Sequence, residues 1–257
     1  MIQKRDFIYT PKGKNRPLHI YLPEDYDTSD KHYPVMYFFD GHNLFSDEDA
    51  TYGKCWGLKG FLDGWEQKII LVGIECGHEG DERLSEYLPY KAGPGFLWNF
   101  KPMGAQTMDW IVNEIKPMID REYRTLPQRE HTAIGGSSMG GLMSLFAITK
   151  YNQWFSKAAC VSSAMAFCFR SLVKAVSSCE LDSDTKVYLS WGTQEAFGLR
   201  DKSKPDYTSF TYRQNQKAAK LLNRAGADVK LVCQVNGRHC EADWEKQNPR
   251  YMNYLWK

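Results

Sequence analysis

Six short, continuously apolar runs recur along the chain, separated by helical or irregular stretches, and this alternation restricts the fold more than any other feature. They are Pro34–Asp40 (PVMYFFD), Ile69–Glu75 (IILVGIE), Thr132–Gly135, Ala158–Ser162, Lys186–Trp191 (KVYLSW) and Asp228–Val235 (DVKLVCQV). A strand on a half-exposed sheet alternates apolar and polar residues, whereas an unbroken apolar strand is covered on both faces. Strands of this second kind alternating with helices predict an α/β protein with a largely parallel sheet. Two earlier runs, Phe7–Thr10 and Leu18–Leu22, flank the turn-forming PKGKNRP and are expected to pair as a hairpin.

The intervening helices are visible as 3.6-residue patterns. Thr107–Ile119 places Met108, Ile111, Val112, Ile115, Met118 and Ile119 on one stripe, with Pro117 expected to kink its last turn. Gly141–Lys150 is apolar nearly all round, as a helix lying centrally on a sheet would be. Ser209–Ala225 ends before Gly226, a suitable C′ glycine. The last helix covers roughly Asp243–Trp256 and restarts at Asn248-Pro249, with Asn as cap and Pro in the first helical position. Gly77–Pro102 and Gly192–Asp206 show no clear regular structure, and loops of that length in a compact domain are often functional.

With 257 residues and no internal repeat or linker, a single domain over 1–257 is expected. Lys plus Arg number 33 against 31 Asp plus Glu, with no basic stripe, so a nucleic-acid partner is not expected. No run approaches a membrane span, and the N-terminus lacks the apolar stretch of a secretory signal; the expectation is a cytoplasmic protein without a membrane partner. Seven cysteines without a CxxC pair suit free thiols better than a disulfide framework or a four-ligand zinc site.

The sharpest chemical signal is Gly136-Ser137-Ser138-Met139-Gly140, which fits G-x-S-x-G with Ser138 at its centre. A strand leads in and a buried helix leads out, the setting of a nucleophile elbow. The turn is so tight that side chains at Gly136 and Gly140 would strike neighbouring backbone. Ser138 thereby stands at a helix N-terminus, where free N–H groups favour developing negative charge. Centred on Ser137, the pattern lacks its second glycine.

A serine hydroxyl needs a base, and the base an orienting acid, in the chain order Ser, Asp/Glu, His for this architecture. Of six histidines only His239 lies beyond Ser138, in the loop directly after the strand DVKLVCQV. Glu195, just past the carboxyl end of KVYLSW, is the first choice of acid, with Asp201 as the alternative. One oxyanion donor should be the backbone N–H of Met139. The second should come from the loop Phe39-Asp40-Gly41-His42-Asn43, where the N–H of His42 is the choice. No His/Asp/Glu cluster has metal-ligand spacing, so His42 is not read as a ligand and no metal is expected. Cys240, beside His239, lacks an elbow and is read as a bystander thiol.

Four segments in order resemble the putative esterase family of α/β-hydrolases, which includes esterase D, enterochelin esterase, feruloyl and acetyl-xylan esterase and mycolyltransferase groups. They are Tyr21–Tyr26 (YLPEDY), Tyr37–Phe45 (YFFDGHNLF), Gly135–Gly141 (GGSSMGG) and Gly237–Trp244 (GRHCEADW). The resemblance implies an α/β-hydrolase fold with a mostly parallel eight-stranded sheet flanked by helices. It also implies a Ser138/Glu195/His239 triad, His42 and Met139 as oxyanion donors, and no cofactor. Enterochelin esterases carry an extra N-terminal domain that this sequence lacks, which turns the expectation away from siderophores.

The expected activity is therefore hydrolysis of short-chain acyl or aryl esters, of acetyl or feruloyl type, on small molecules or linked to glycans. An acyltransferase with the same triad and a non-catalytic binding protein on the same fold are the alternatives. Trp56, Trp98, Trp191 and Trp244 are the candidate pocket walls, since tryptophan supplies large apolar area with a polar edge.

Overall fold

The computed structural model describes residues 1–195 and 203–257. Ten strands are present among them: β1 (Ile2–Arg5), β2 (Ile8–Tyr9), β3 (Lys14–Asn15), β4 (Leu18–Tyr21), β5 (Val35–Phe39), β6 (Ile70–Ile74), β7 (Thr132–Ser137), β8 (Lys157–Val161), β9 (Lys186–Gly192) and β10 (Asp228–Gln234). Eight of them form one sheet in the order β1-β4-β6-β5-β7-β8-β9-β10. β5 through β10 run parallel, and β4 joins β6 antiparallel with β1 outside it. This is the mostly parallel, eight-stranded α/β-hydrolase sheet expected from the sequence.

The apolar runs of β5 to β9 find partners on both faces, whereas β10, expected to be covered in the same way, is the edge strand of the sheet and is only partly buried. Along β5, Val35, Tyr37 and Phe39 enter one core and Met36 and Phe38 the other. The first core is closed by the helices Met139–Lys150, Phe169–Ser177 and Phe210–Ala225 and by the stripe Met108, Ile111, Val112, Ile115, Met118 and Ile119. The second is closed from opposite ends of the chain, by the helices Leu58–Asp63 and Asn248–Trp256. No helix among the described residues is long and apolar enough to cross a membrane.

Three local expectations are corrected. The first two apolar runs do not pair with each other. The PKGKNRP turn instead closes the short β2–β3 pair, with the N–H groups of Lys12 and Gly13 both donating to the Tyr9 carbonyl at 3.0 and 2.9 Å. β4 is buried at every position, which a small exposed hairpin could not achieve, so it lies between β1 and β6. Pro117 does not simply kink its helix. One wider turn, Ile111–Ile115, precedes it, with the Lys116 N–H donating to the Ile111 carbonyl, and the chain resumes as Lys116–Glu122. Asn248 is the first helical residue of its segment rather than a cap: its amide donates to the Trp56 carbonyl at 2.7 Å and its side-chain oxygen accepts from Tyr251 at 2.9 Å.

The strand order fixes where a ligand can sit. After β5 the chain moves to β6 on one side, then crosses to β7 on the other. Loops leaving β5 and β7 therefore diverge and open a crevice at the carboxyl ends of the strands.

Candidate active site

Ser138, Glu195, His239 and the segment holding His42 all follow strands at that carboxyl edge. Ser138 follows β7, Asp40–Asn43 follow β5, Glu195 follows β9 and His239 follows β10. Ser138 has φ 55° and ψ −118°, the mirror image of extended backbone, a region open mainly to glycine. Three backbone hydrogen bonds hold it there: its N–H donates to Val161 at 3.1 Å, and its carbonyl accepts from Leu142 at 3.0 Å and Ala164 at 2.9 Å. The flanking glycines are sterically required, since a Cβ on Gly136 would lie 2.7 Å from the Gly140 carbonyl carbon and one on Gly140 2.9 Å from the Phe39 Cβ.

His239 and Glu195 come from neighbouring loops that are tied together. The N–H of Gln194 donates to the Gly237 carbonyl at 2.9 Å, and the N–H of Asn236 to the Thr193 hydroxyl at 2.9 Å. His239 Nδ1 donates to Glu195 Oε2 at 2.7 Å. The other carboxylate oxygen, Oε1, accepts from the Ser162 hydroxyl at 2.6 Å and the Gly192 N–H at 2.7 Å. Ser162 in turn accepts from Trp244 Nε1 at 3.0 Å, and the Trp244 ring meets the His239 imidazole edge-on, 4.9 Å between centroids. Asp201, the alternative acid, lies outside the described residues.

Ser138 and His239 share a cavity of about 390 Å³ whose wall includes Asp40, His42, His78, Arg83, Glu241 and Trp244. Met139 is the first residue of its helix and His42 sits within the single turn Gly41–Asn43. N–H groups in such first turns have no acceptor inside the helix and are free to face a ligand. The β5 loop is fastened by Arg83, whose Nε and Nη2 each donate to the Asp40 carboxylate at 2.7 Å. Burial alone would raise the Asp40 pKa, but the guanidinium holds it below the usual carboxylate range. Glu241 is buried in the same wall, and desolvation pushes its carboxyl up.

Of the four tryptophans expected as walls, Trp244 lines the cavity. Trp56 is buried behind it in a stacked pair, 5.6 Å between centroids. Trp191 is buried beside Tyr212, and Trp98 stands exposed beneath the Lys91 ammonium, neither on the cavity wall. Arg83 and Ser162 were not singled out from the sequence, because no motif marks them, and Glu241, though inside the Gly237–Trp244 segment, was given no role.

Spacing along the chain also conceals a cluster that the fold assembles. His42, Cys76 and His78 present ligand-type atoms that all lie within 4.8 Å of one another. Burial lowers the His42 pKa, whereas the Glu75 carboxylate raises that of His78.

The His239 loop has its own anchor. The buried Asp243 carboxylate accepts from the Arg238 N–H at 3.0 Å, Arg238 Nε at 2.8 Å and Lys246 Nζ at 2.5 Å. Burial would raise its pKa, but these donors take it well below the usual value. A depressed carboxyl pKa stabilises the fold above the unfolded value of 3.8 and loses that contribution as pH falls through the folded value. Asp243→Asn is therefore expected to cost about 1–3 kcal/mol at pH 7, discounted for two exposed partners. Its urea-denaturation stability should fall less than the wild type's below pH 4. Parallel acid limbs would remove Asp243 as the cause.

Comparison with known proteins bears on the family and the fold. The model of the putative esterase family matches residues 11–250. The uncharacterized protein YbbA of Bacillus subtilis is 28% identical over 72% of this chain and 70% of its own length. Esterase MT1326 of Mycobacterium tuberculosis is 29% identical over 57% of this chain, an alignment spanning 28% of that longer protein. Among solved structures, an IroE-like serine hydrolase from Shewanella oneidensis superimposes with a TM-score of 0.73 at 18% identity, covering 99% of this chain and 79% of that one. The chain belongs to the putative esterase family and is an ester-hydrolysing enzyme.

Proposed function

We propose that the chain is a serine carboxylic-ester hydrolase working through an acyl-enzyme, with Ser138 as nucleophile, His239 as general base and Glu195 as its orienting acid. The observation that carries this reading is the 2.7 Å contact from His239 Nδ1 to a doubly anchored Glu195, beside a serine held at positive φ in the same cavity. Ser138 Oγ attacks the ester carbonyl while His239 Nε2 takes its proton. The resulting imidazolium is stabilised by the Glu195 carboxylate, and the N–H groups of Met139 and His42 receive the oxyanion. His239 then protonates the departing alcohol. Water, deprotonated by the same histidine, attacks the acyl-enzyme and frees the acid.

The cavity supports a small substrate. Its volume is at the low end for small-molecule sites, and its wall combines one indole with His42, His78, Arg83 and Glu241. That lining suits a short acyl or aryl group and a polar, hydroxylated alcohol or acid portion, including a sugar, better than a long alkyl chain. A fluorophosphonate should label the protein once, on a peptide containing Ser138, and p-nitrophenyl acetate should be turned over. Labelling on another residue, or no turnover by well-folded protein, would falsify the assignment.

A further inference from the structure

We propose that His42, Cys76 and His78 form a binding site for one zinc-class transition-metal ion in the wall of the cavity. The three come from two loops that the strand order brings together: His42 from the loop after β5, and Cys76-Gly77-His78 from the loop after β6. Two imidazoles and a thiol are the donor types preferred by Zn²⁺, Co²⁺ and Cu⁺, not by Mg²⁺ or Ca²⁺.

The rings are prepared for ligation. His42 Nε2 is engaged by the Thr51 hydroxyl at 3.0 Å, and His78 Nε2 by Glu75 Oε2 at 2.9 Å. These hydrogen bonds engage Nε2 of each ring and leave Nδ1 as the remaining ligand atom, the arrangement by which a hydroxyl or carboxylate orients a metal-binding histidine. Glu75 is itself fixed through its other oxygen, 2.5 Å from His19 Nε2. Between the ligands, the Gly77 N–H donates to Glu86 Oε2 at 2.9 Å, which holds the loop in place.

A second observation points to a missing partner. His42 is 7% exposed, and its Nδ1 is buried without a hydrogen-bond partner. Leaving such an atom unsatisfied is unfavourable, and a bound ion would offset that cost. Tetrahedral zinc, with bonds of about 2.0–2.3 Å, needs its ligand atoms roughly 3.3–3.8 Å apart. The three atoms lie within 4.8 Å of one another, so coordination requires them to draw together, and His78 is the exposed member of the three. On binding, the Cys76 thiol loses its proton to water as the metal–sulfur bond forms. Three protein ligands leave a fourth position for water or substrate, characteristic of an open rather than a purely structural site.

The site does not depend on the ester chemistry, and its test is spectroscopic. The reduced, metal-free full chain is titrated with Co²⁺, which is then displaced by Zn²⁺ in competition with a chromophoric chelator. One equivalent should bind, with a thiolate-to-cobalt charge-transfer band that disappears in Cys76→Ser and persists in Cys240→Ser. His78→Ala, a change at an exposed side chain, should weaken Zn²⁺ binding by more than about tenfold. Circular dichroism and thermal melts confirm that each variant is folded. Absence of stoichiometric binding, a band that survives Cys76→Ser or is lost in Cys240→Ser, or unchanged affinity in His78→Ala would each overturn the proposal.

Discussion

Ser138→Ala is expected to lower kcat for ester hydrolysis by about 10⁶-fold and to abolish fluorophosphonate labelling, with the fold unchanged. Removing the nucleophile of a triad costs nearly as much as removing the whole triad, because base and acid act only through it. What survives is the contribution of the oxyanion donors and binding, roughly 10³–10⁴ over water. A companion variant separates chemistry from structure. Alanine keeps the Cβ and so keeps the strain of φ 55° and ψ −118°, whereas glycine relieves it. Ser138→Gly should be as inactive as Ser138→Ala but more stable by roughly 1–3 kcal/mol in urea denaturation. Substantial turnover by the alanine variant would remove Ser138 from the mechanism. Equal stability of the two variants would show that the turn is not strained.

The fold was readable from the sequence where burial acts on consecutive residues. Val35–Phe39 is unbroken because alternate side chains enter two different cores, and the same two-sided covering made β6 through β9 legible. The early region misled because PKGKNRP is a strong turn whose partner strands cannot be inferred locally. β4 pairs with β6, fifty or more residues away in sequence, and the turn serves only a two-residue ladder.

The same division holds at the site. Ser138, Glu195 and His239 each follow a recognisable strand, so their loop positions could be read from the sequence one at a time. Arg83 and Ser162 act through partners on other loops: Asp40 in one case, Glu195 and Trp244 in the other. The His42–Cys76–His78 cluster is invisible for a related reason. Its members are brought together by β5 and β6 lying side by side, and a separation of that kind leaves no periodic trace. Aromatic content likewise carries no directional information, which is why Trp56 and Trp244 look equivalent in the sequence but only one reaches the cavity.

Glu195→Gln is expected to lower kcat by about 10⁴-fold with little change in KM, an effect that follows from which atoms surround each carboxylate oxygen. Oε1 accepts two hydrogen bonds, from the Ser162 hydroxyl and the Gly192 N–H, while Oε2 accepts one from His239 Nδ1. An amide offers one oxygen and one NH₂. The Gly192 N–H can only donate, so the amide oxygen must take the Oε1 position and the NH₂ must face His239. Nδ1 then has to act as acceptor, which moves the imidazole proton to Nε2 and removes the lone pair that should receive the Ser138 proton. The loss is thus one of tautomer, not of position. Ser162→Ala tests the same chain more gently: it removes one of the two bonds at Oε1 and the acceptor for Trp244 Nε1, and should reduce kcat by roughly tenfold, the scale seen when an outer-shell partner is lost. Near-normal turnover by Glu195→Gln would transfer the acid role away from Glu195. A large loss in Glu195→Gln together with an unaffected Ser162→Ala would show that the Gly192 N–H alone fixes the carboxylate.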